Sequence, residues 1–181
     1  DIQSLNHLSL ARIAYVLACG CLEQEDMQES LRLNLEAIQL DSNEPLYHAL
    51  LAKIAYKQGD NEVANQAIGS ALATWPNEPR WHAFAAQINI SEGDISEAIN
   101  HLKIAGELEP DHLPHQLALG ECLQKTGEFR AAIQTLKSAR GIAPNNIGPV
   151  LGLARAYLSI GEFEQASSFA QSAVNKSPND I

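Results

Sequence analysis

Side chains able to hold a metal or attack a substrate are few in this chain and widely scattered. Cys19, Cys21 and Cys122 supply its thiols, and His112 and His115 are the most closely spaced of its six histidines. A closed zinc site takes four Cys or His ligands in short paired spacings, and neither set has that pattern. Cys19 and Cys21 stand two apart on one expected helix and so point in different directions. The expectation is packing cysteines and exposed loop histidines, with no metal site and no cofactor. No Gly-rich loop is shaped to cradle phosphate, and no Ser, His and acid set is singled out by local context. No catalytic residue is expected, so the chain reads as a non-enzyme. An odd number of cysteines gives no disulfide framework and favours a reducing, cytoplasmic setting.

The elements that would carry any site follow from one period. Ser42, Pro76, Pro110, Pro144 and Pro178 are 34 residues apart, as are Gly59, Gly93, Gly127 and Gly161. Ala64, Ala98, Ala132 and Ala166 keep the same step, and so do Ala37, Ala71, Ala105, Ala139 and Ala173. Small residues at two fixed positions let neighbouring helices approach, where a larger side chain would overpack the contact at about 1–3 kcal/mol. The glycines suit the left-handed residue that ends a helix, and an Asp or Glu follows each one at the positive start of the next helix. Pro76, Pro110, Pro144 and Pro178 cannot continue a helix, whereas Pro45, Pro79 and Pro149 fit a first helical turn. These signals predict helices near 5–23, 26–39, 45–58, 60–73, 79–92, 94–107, 113–126, 128–141, 147–160 and 162–175, with no strand.

The columns resemble the tetratricopeptide repeat. The fourth repeat carries Leu119, Gly120, Gly127, Ala132, Leu136, Ala139 and Pro144 at that family's defining positions, and the fifth carries Leu153, Ala154, Tyr157, Gly161, Ala166, Ala170, Ala173 and Pro178. The first repeat departs from the pattern, with Glu25 in place of Gly, Ser30 in place of Ala and Ser42 in place of Pro. The resemblance implies an all-α fold, a right-handed α-solenoid of stacked antiparallel helix pairs with five 34-residue repeats at 11–44, 45–78, 79–112, 113–146 and 147–180. Residues 1–10 would extend the first helix, and 11–181 would form a single domain cut from a longer protein. His48 and His82 share a position where the family often has Trp, and so read as packing residues. Trp75 and Trp81 are expected to pack the junction of repeats two and three.

Members of this family bind peptides in a concave groove lined by the first helices of successive repeats. Carried onto this sequence, the groove positions give Tyr15, Leu50, Lys53, Tyr56, Lys57, Arg80, Phe84, Gln87, Ile90, Leu117, Glu121, Leu151 and Arg155 as partner-binding residues. Apolar positions in this set have two readings, groove contact or packing between helices. The carboxylate clamp of chaperone-binding members is absent, because Tyr15, Cys19, Leu50 and Phe84 replace its polar residues and only Arg80 keeps the charge. The asparagine ladder of sugar-transferring relatives is absent too, its positions holding Val16, Leu50, Phe84, Ala118 and Gly152.

Twelve basic against 22 acidic side chains leave a net charge of −10, which opposes phosphate backbones and anionic membranes. The charge is uneven: residues 11–44 are strongly acidic, whereas Lys125, Arg130, Lys137 and Arg140 make the fourth repeat net positive. A soluble, solvated surface accounts for that gradient. No apolar run reaches the roughly 18–20 residues needed to cross a membrane. The function expected is a non-catalytic scaffold binding a protein or peptide, with no nucleic acid and no membrane insertion. The alternative is an assembly or spacer module of a larger polypeptide that could include an enzyme. In that case the array would self-associate through an uncapped last helix carrying Phe169 and Val174.

Overall fold

Helix boundaries follow the capping chemistry closely. The computed structural model describes residues 2–176, and every regular element among them is an α-helix. The chain divides into two compact units, Asp1–Glu92 and Gly93–Ile181. The first unit holds α1 (Ile2–Glu23), α2 (Met27–Leu40), α3 (Pro45–Gln58), α4 (Asn61–Thr74) and α5 (Pro79–Glu92). The second holds α6 (Ile95–Leu108), α7 (Leu113–Lys125), α8 (Phe129–Ile142), α9 (Ile147–Ser159) and α10 (Phe163–Lys176).

The even-numbered helices all begin one residue later than the sequence reading places them. The acidic residue after each turn is the N-cap and lies outside the helix. Asp26, Asp60 and Asp94 accept from the backbone N–H of Glu29, Val63 and Glu97, each at 3.1 Å, which satisfies a donor that the first turn would otherwise leave unpaired. Glu128 caps without such a bond, and its carboxylate instead accepts from the Thr126 hydroxyl. Helices α7 and α9 stop one residue early at Lys125 and Ser159, with Thr126 and Ile160 as C-caps. Pro45 and Pro79 open α3 and α5, and Pro149 lies in the first turn of α9. Pro178 and the last residues of the fifth repeat lie outside the described residues.

All four expected glycines have positive φ, from 79° to 84°, and Glu25 joins them at 64°. The backbone of the first hairpin turn matches the later ones. Asp26 N–H reaches Cys21 carbonyl at 2.9 Å, just as Asp60 N–H reaches Ala55, the 6→1 bond of a Schellman turn. The first repeat therefore keeps the left-handed residue while giving up the glycine.

Within the first unit α1 packs on α2 and α3 on α4, with α2 against α3 and α4 against α5; within the second, α7 pairs with α8 and α9 with α10, with α6 against α7 and α8 against α9. One core joins Ala18, Leu22, Leu33, Leu50 and Ile54, and a second gathers Ala52, Ala64, Ile68, Ala71, Trp81 and Ile88. In the second unit Ile133, Leu136, Leu153, Ala156, Tyr157 and Ala166 form the corresponding cluster. The small-residue columns are buried as expected: Ala37, Ala64, Ala71, Ala98, Ala105, Ala132 and Ala139 are fully inaccessible. Ser30 replaces alanine in that column, and its hydroxyl donates to the Ala18 carbonyl at 2.8 Å. Asn34 stands where later repeats have Ile68, Leu102 and Leu136, and its buried amide donates to the Tyr47 carbonyl at 2.9 Å.

Candidate functional site

First helices of consecutive repeats lie side by side in the first unit, α1 touching α3, and their facing side chains enclose a groove. A cavity of about 650 Å³ is lined by Tyr15, Cys19, Leu46, Ala49, Leu50, Lys53, Tyr56, Lys57, Arg80, Trp81, Phe84 and Gln87. Eight of the thirteen residues singled out from sequence are in this lining. Tyr56 and Phe84 meet edge to face at 5.5 Å and 83°, and the Gln87 amide donates to the Tyr56 hydroxyl at 3.3 Å. Both rings also pack against the core beneath them, so the groove floor and the core share side chains. Leu50 is only 7 % exposed and works chiefly as a core residue with one edge in the groove.

The charge of this groove is opposite to that of the chain. Lys53, Lys57 and Arg80 line it, and no acidic side chain does. Arg80 is ion-paired to Glu78 at 2.8 Å, which holds the Glu78 carboxyl below its usual value. An adjoining hollow of about 290 Å³ shares Cys19, Leu50, Lys53 and Lys57 but adds Glu23 and Glu25, so acidic groups border the groove there as well as at Arg80. The Tyr15 ring lies tilted against Tyr47, with centroids 5.1 Å and planes 39° apart. Burial first, then its hydrogen bond with Cys19, pushes its phenol up to about 12, so it acts as a neutral surface across the working range of pH.

In the second unit the predicted residues separate. Glu121 and Arg155 share a shallow hollow of about 560 Å³ with Gln124, Lys125, Phe129, Leu158 and Ser159. Leu117 instead packs against the α8–α9–α10 core. Leu151 is exposed, and neither it nor Ile90 lines either of these cavities. Phe169, expected on an uncovered face, is stacked on Tyr157 at 5.6 Å with the Arg140 guanidinium over its ring. Lys137 stands 5.8 Å above Tyr157, so two of the fourth repeat's cations cover aromatic rings. Val174 stays exposed.

The histidines need one correction. His48 and His82 are packing residues as expected, each donating from Nε2 at 2.8 Å to a carbonyl of the preceding loop, that of Ser42 or Pro76. His112 is exposed, but His115 is not a loop histidine. It lies in the first turn of α7, 5 % exposed, and burial followed by the neighbouring His112 moves its imidazole below the ordinary value. Among the cysteines, Cys122 is buried, and burial pushes its thiol up. Trp75 and Trp81 stack at 5.5 Å with ring planes 9° apart, the packing role expected of them. No helix among the described residues is long and apolar enough to cross a membrane.

Paired helices recurring every 34 residues, with a left-handed residue in each hairpin and alanine at each close contact, define a helical repeat protein. A family model described as tetratricopeptide repeat matches residues 89–147 and 126–181, and another with the same description matches 50–105. The chain belongs to the tetratricopeptide repeat family. Its fold is similar to that of the MamA protein, with a TM-score of 0.87 at 17 % identity over 95 % of this chain and 96 % of that one. YrrB, described as a TPR protein with an unusual peptide-binding site, gives a TM-score of 0.84 at 15 % identity over 92 % and 86 %. PilF of Pseudomonas aeruginosa gives 0.74 at 16 % identity over 94 % and 78 %. A comparison with curated protein sequences finds no significant match.

Proposed function

We propose that this chain is a non-catalytic interaction scaffold whose first-unit groove takes a segment of a partner protein, apolar at its centre and acidic beside it. The observation that carries this reading is the lining of the groove, in which the Tyr56–Phe84 pair lies beside Lys53 and Lys57 and the Glu78-paired Arg80, with no carboxylate in the lining itself. In a chain of net charge −10, a local cluster of cations beside an aromatic floor favours an acidic segment over a basic one. Aromatic and Arg side chains are also the types that most often dominate interface energy. The peptide-binding site described for YrrB, a protein of similar fold, supports a groove of this kind as a binding surface.

The test is a panel of short peptides that vary apolar and acidic content, titrated against the protein at several salt concentrations. Lys53 and Lys57 are exposed, so Lys53→Glu with Lys57→Glu leaves the fold intact. The expected result is a preference for acidic peptides with an aromatic or aliphatic anchor, and a loss of about 30-fold in affinity for the reversed variant at low salt. That loss should shrink as salt screens charges beyond about 8–10 Å. Equal binding of acidic and basic peptides, or unchanged affinity in the variant, would overturn the reading.

A further inference from the structure

The loop between α6 and α7 brings together three groups that the interaction surface does not use. Glu109 is the C-cap of α6, His112 is the N-cap of α7, and His115 stands in the first turn of α7. Their ligand atoms all lie within 4.8 Å of one another. His112 makes no side-chain capping bond, although the N-cap position is where a side chain normally satisfies the helix. The ring centroids of His112 and His115 are 3.9 Å apart.

His115 makes the arrangement informative. Its Nδ1 is buried and has no hydrogen-bond partner, an uncommon state for a buried polar atom. This nitrogen faces Glu109 Oε2 at 3.8 Å, beyond hydrogen-bond reach. An unprotonated Nδ1 and a carboxylate oxygen so placed repel unless a cation stands between them.

We propose that Glu109, His112 and His115 form a site for one divalent transition ion of the zinc class, held by two imidazole nitrogens and a carboxylate oxygen with the remaining position open to water. Two nitrogens among three donors disfavour magnesium and calcium, which take oxygen ligands. Zinc bonds of about 2.0–2.1 Å in tetrahedral geometry set ligand atoms roughly 3.3 Å apart. The present spacing therefore closes by side-chain rotation of Glu109 and His112, which lie near the surface, while His115 stays fixed by its burial. The positive end of α7 opposes a cation, but Glu107, Glu109 and Asp111 and the negative end of α6 favour it. Bound there, the ion ties the end of α6 to the start of α7 and fixes the angle between two helices of the second unit.

The experiment uses the tag-free chain in a Cys19→Ser, Cys21→Ser background, so that thiols do not compete for the ion. Co(II) is titrated by visible absorption, Zn(II) displaces it, and zinc binding is measured by calorimetry. The expected result is one ion per chain, at least about tenfold weaker in Glu109→Gln and in His112→Ala and unchanged in His48→Ala. The ring nitrogen signals of His115 should shift on adding Zn(II), with Nδ1 unprotonated beforehand. Absence of saturable binding, binding indifferent to both loop variants, or a His115 ring protonated on both nitrogens in the presence of Zn(II) would each overturn the proposal.

Discussion

Leu136 is held between two glycines, and the consequence can be worked out. A Cβ added at Gly120 on α7 would lie 2.8 Å from Leu136 Cγ and Cδ2, and one added at Gly152 on α9 would lie 2.9 Å from Cδ1 and 3.0 Å from Cδ2. Carbon atoms prefer about 3.5–4.0 Å, so each new methyl overlaps the leucine by roughly 0.5–1 Å. Leu136 is 1 % exposed, and leaning away from one glycine carries it toward the other. Overpacking of this kind costs about 1–3 kcal/mol, while alanine in a helix interior recovers about 1 kcal/mol over glycine. Gly120→Ala or Gly152→Ala alone should therefore destabilise by about 0–2 kcal/mol. Together they should cost about 0.5–3 kcal/mol more than the sum, because no side is left for the leucine to yield.

Gly69→Ala in α4 is the reference substitution, since its Cβ meets nothing within 4 Å, and it should stabilise by about 1 kcal/mol. Urea unfolding followed by circular dichroism measures all four variants. Hydrogen exchange over α7–α9 then places the loss, because repeat arrays can open in parts. Should Gly120→Ala and Gly152→Ala stabilise as much as Gly69→Ala, or should the double variant be additive, the reasoning from Leu136 is wrong.

Other consequences follow from single residues. Glu25 holds a left-handed backbone that costs a side chain about 1–2 kcal/mol; after the greater flexibility of unfolded glycine is discounted, Glu25→Gly should raise stability by about 0.5–1 kcal/mol, with Glu25→Asn separating backbone relief from lost charge. Ala98→Leu and Ala132→Leu, at fully inaccessible positions, should each cost about 1–3 kcal/mol, while Ser96→Leu on the exposed side of α6 should be neutral within about 0.5 kcal/mol in the same melts. Cys19 and Cys21 are half-buried and Cys122 is buried with a raised thiol, so a thiol reagent should label the first two promptly and Cys122 only on unfolding; prompt labelling of Cys122 would contradict its packing.

How far the sequence revealed this molecule depends on which force set each feature. Helix ends were legible because caps are local chemistry: glycine, acid and proline at a fixed step place every helix end to within a residue except the start of α1, which has no such signal and lies three residues earlier than expected. Tyr56, Phe84 and Lys53 were legible because the first helix of each repeat presents the same positions to the groove. Leu117 was not, since it packs against a core built from α8, α9 and α10, and that contact depends on two repeats at once. Gly152 was read only as a missing asparagine, although its role is to admit Leu136. His115 is different, because the period did contain the signal. It shares its repeat position with Ile13, Tyr47, Trp81 and Pro149, and after the exposed Ile13 of the first repeat Tyr47 and Trp81 are buried like it while Pro149 is fully so. A histidine in a column that buries rings and apolar side chains must find a partner for each nitrogen or keep one unpaired. Nδ1 stays unpaired and faces the carboxylate that makes this loop a candidate for metal.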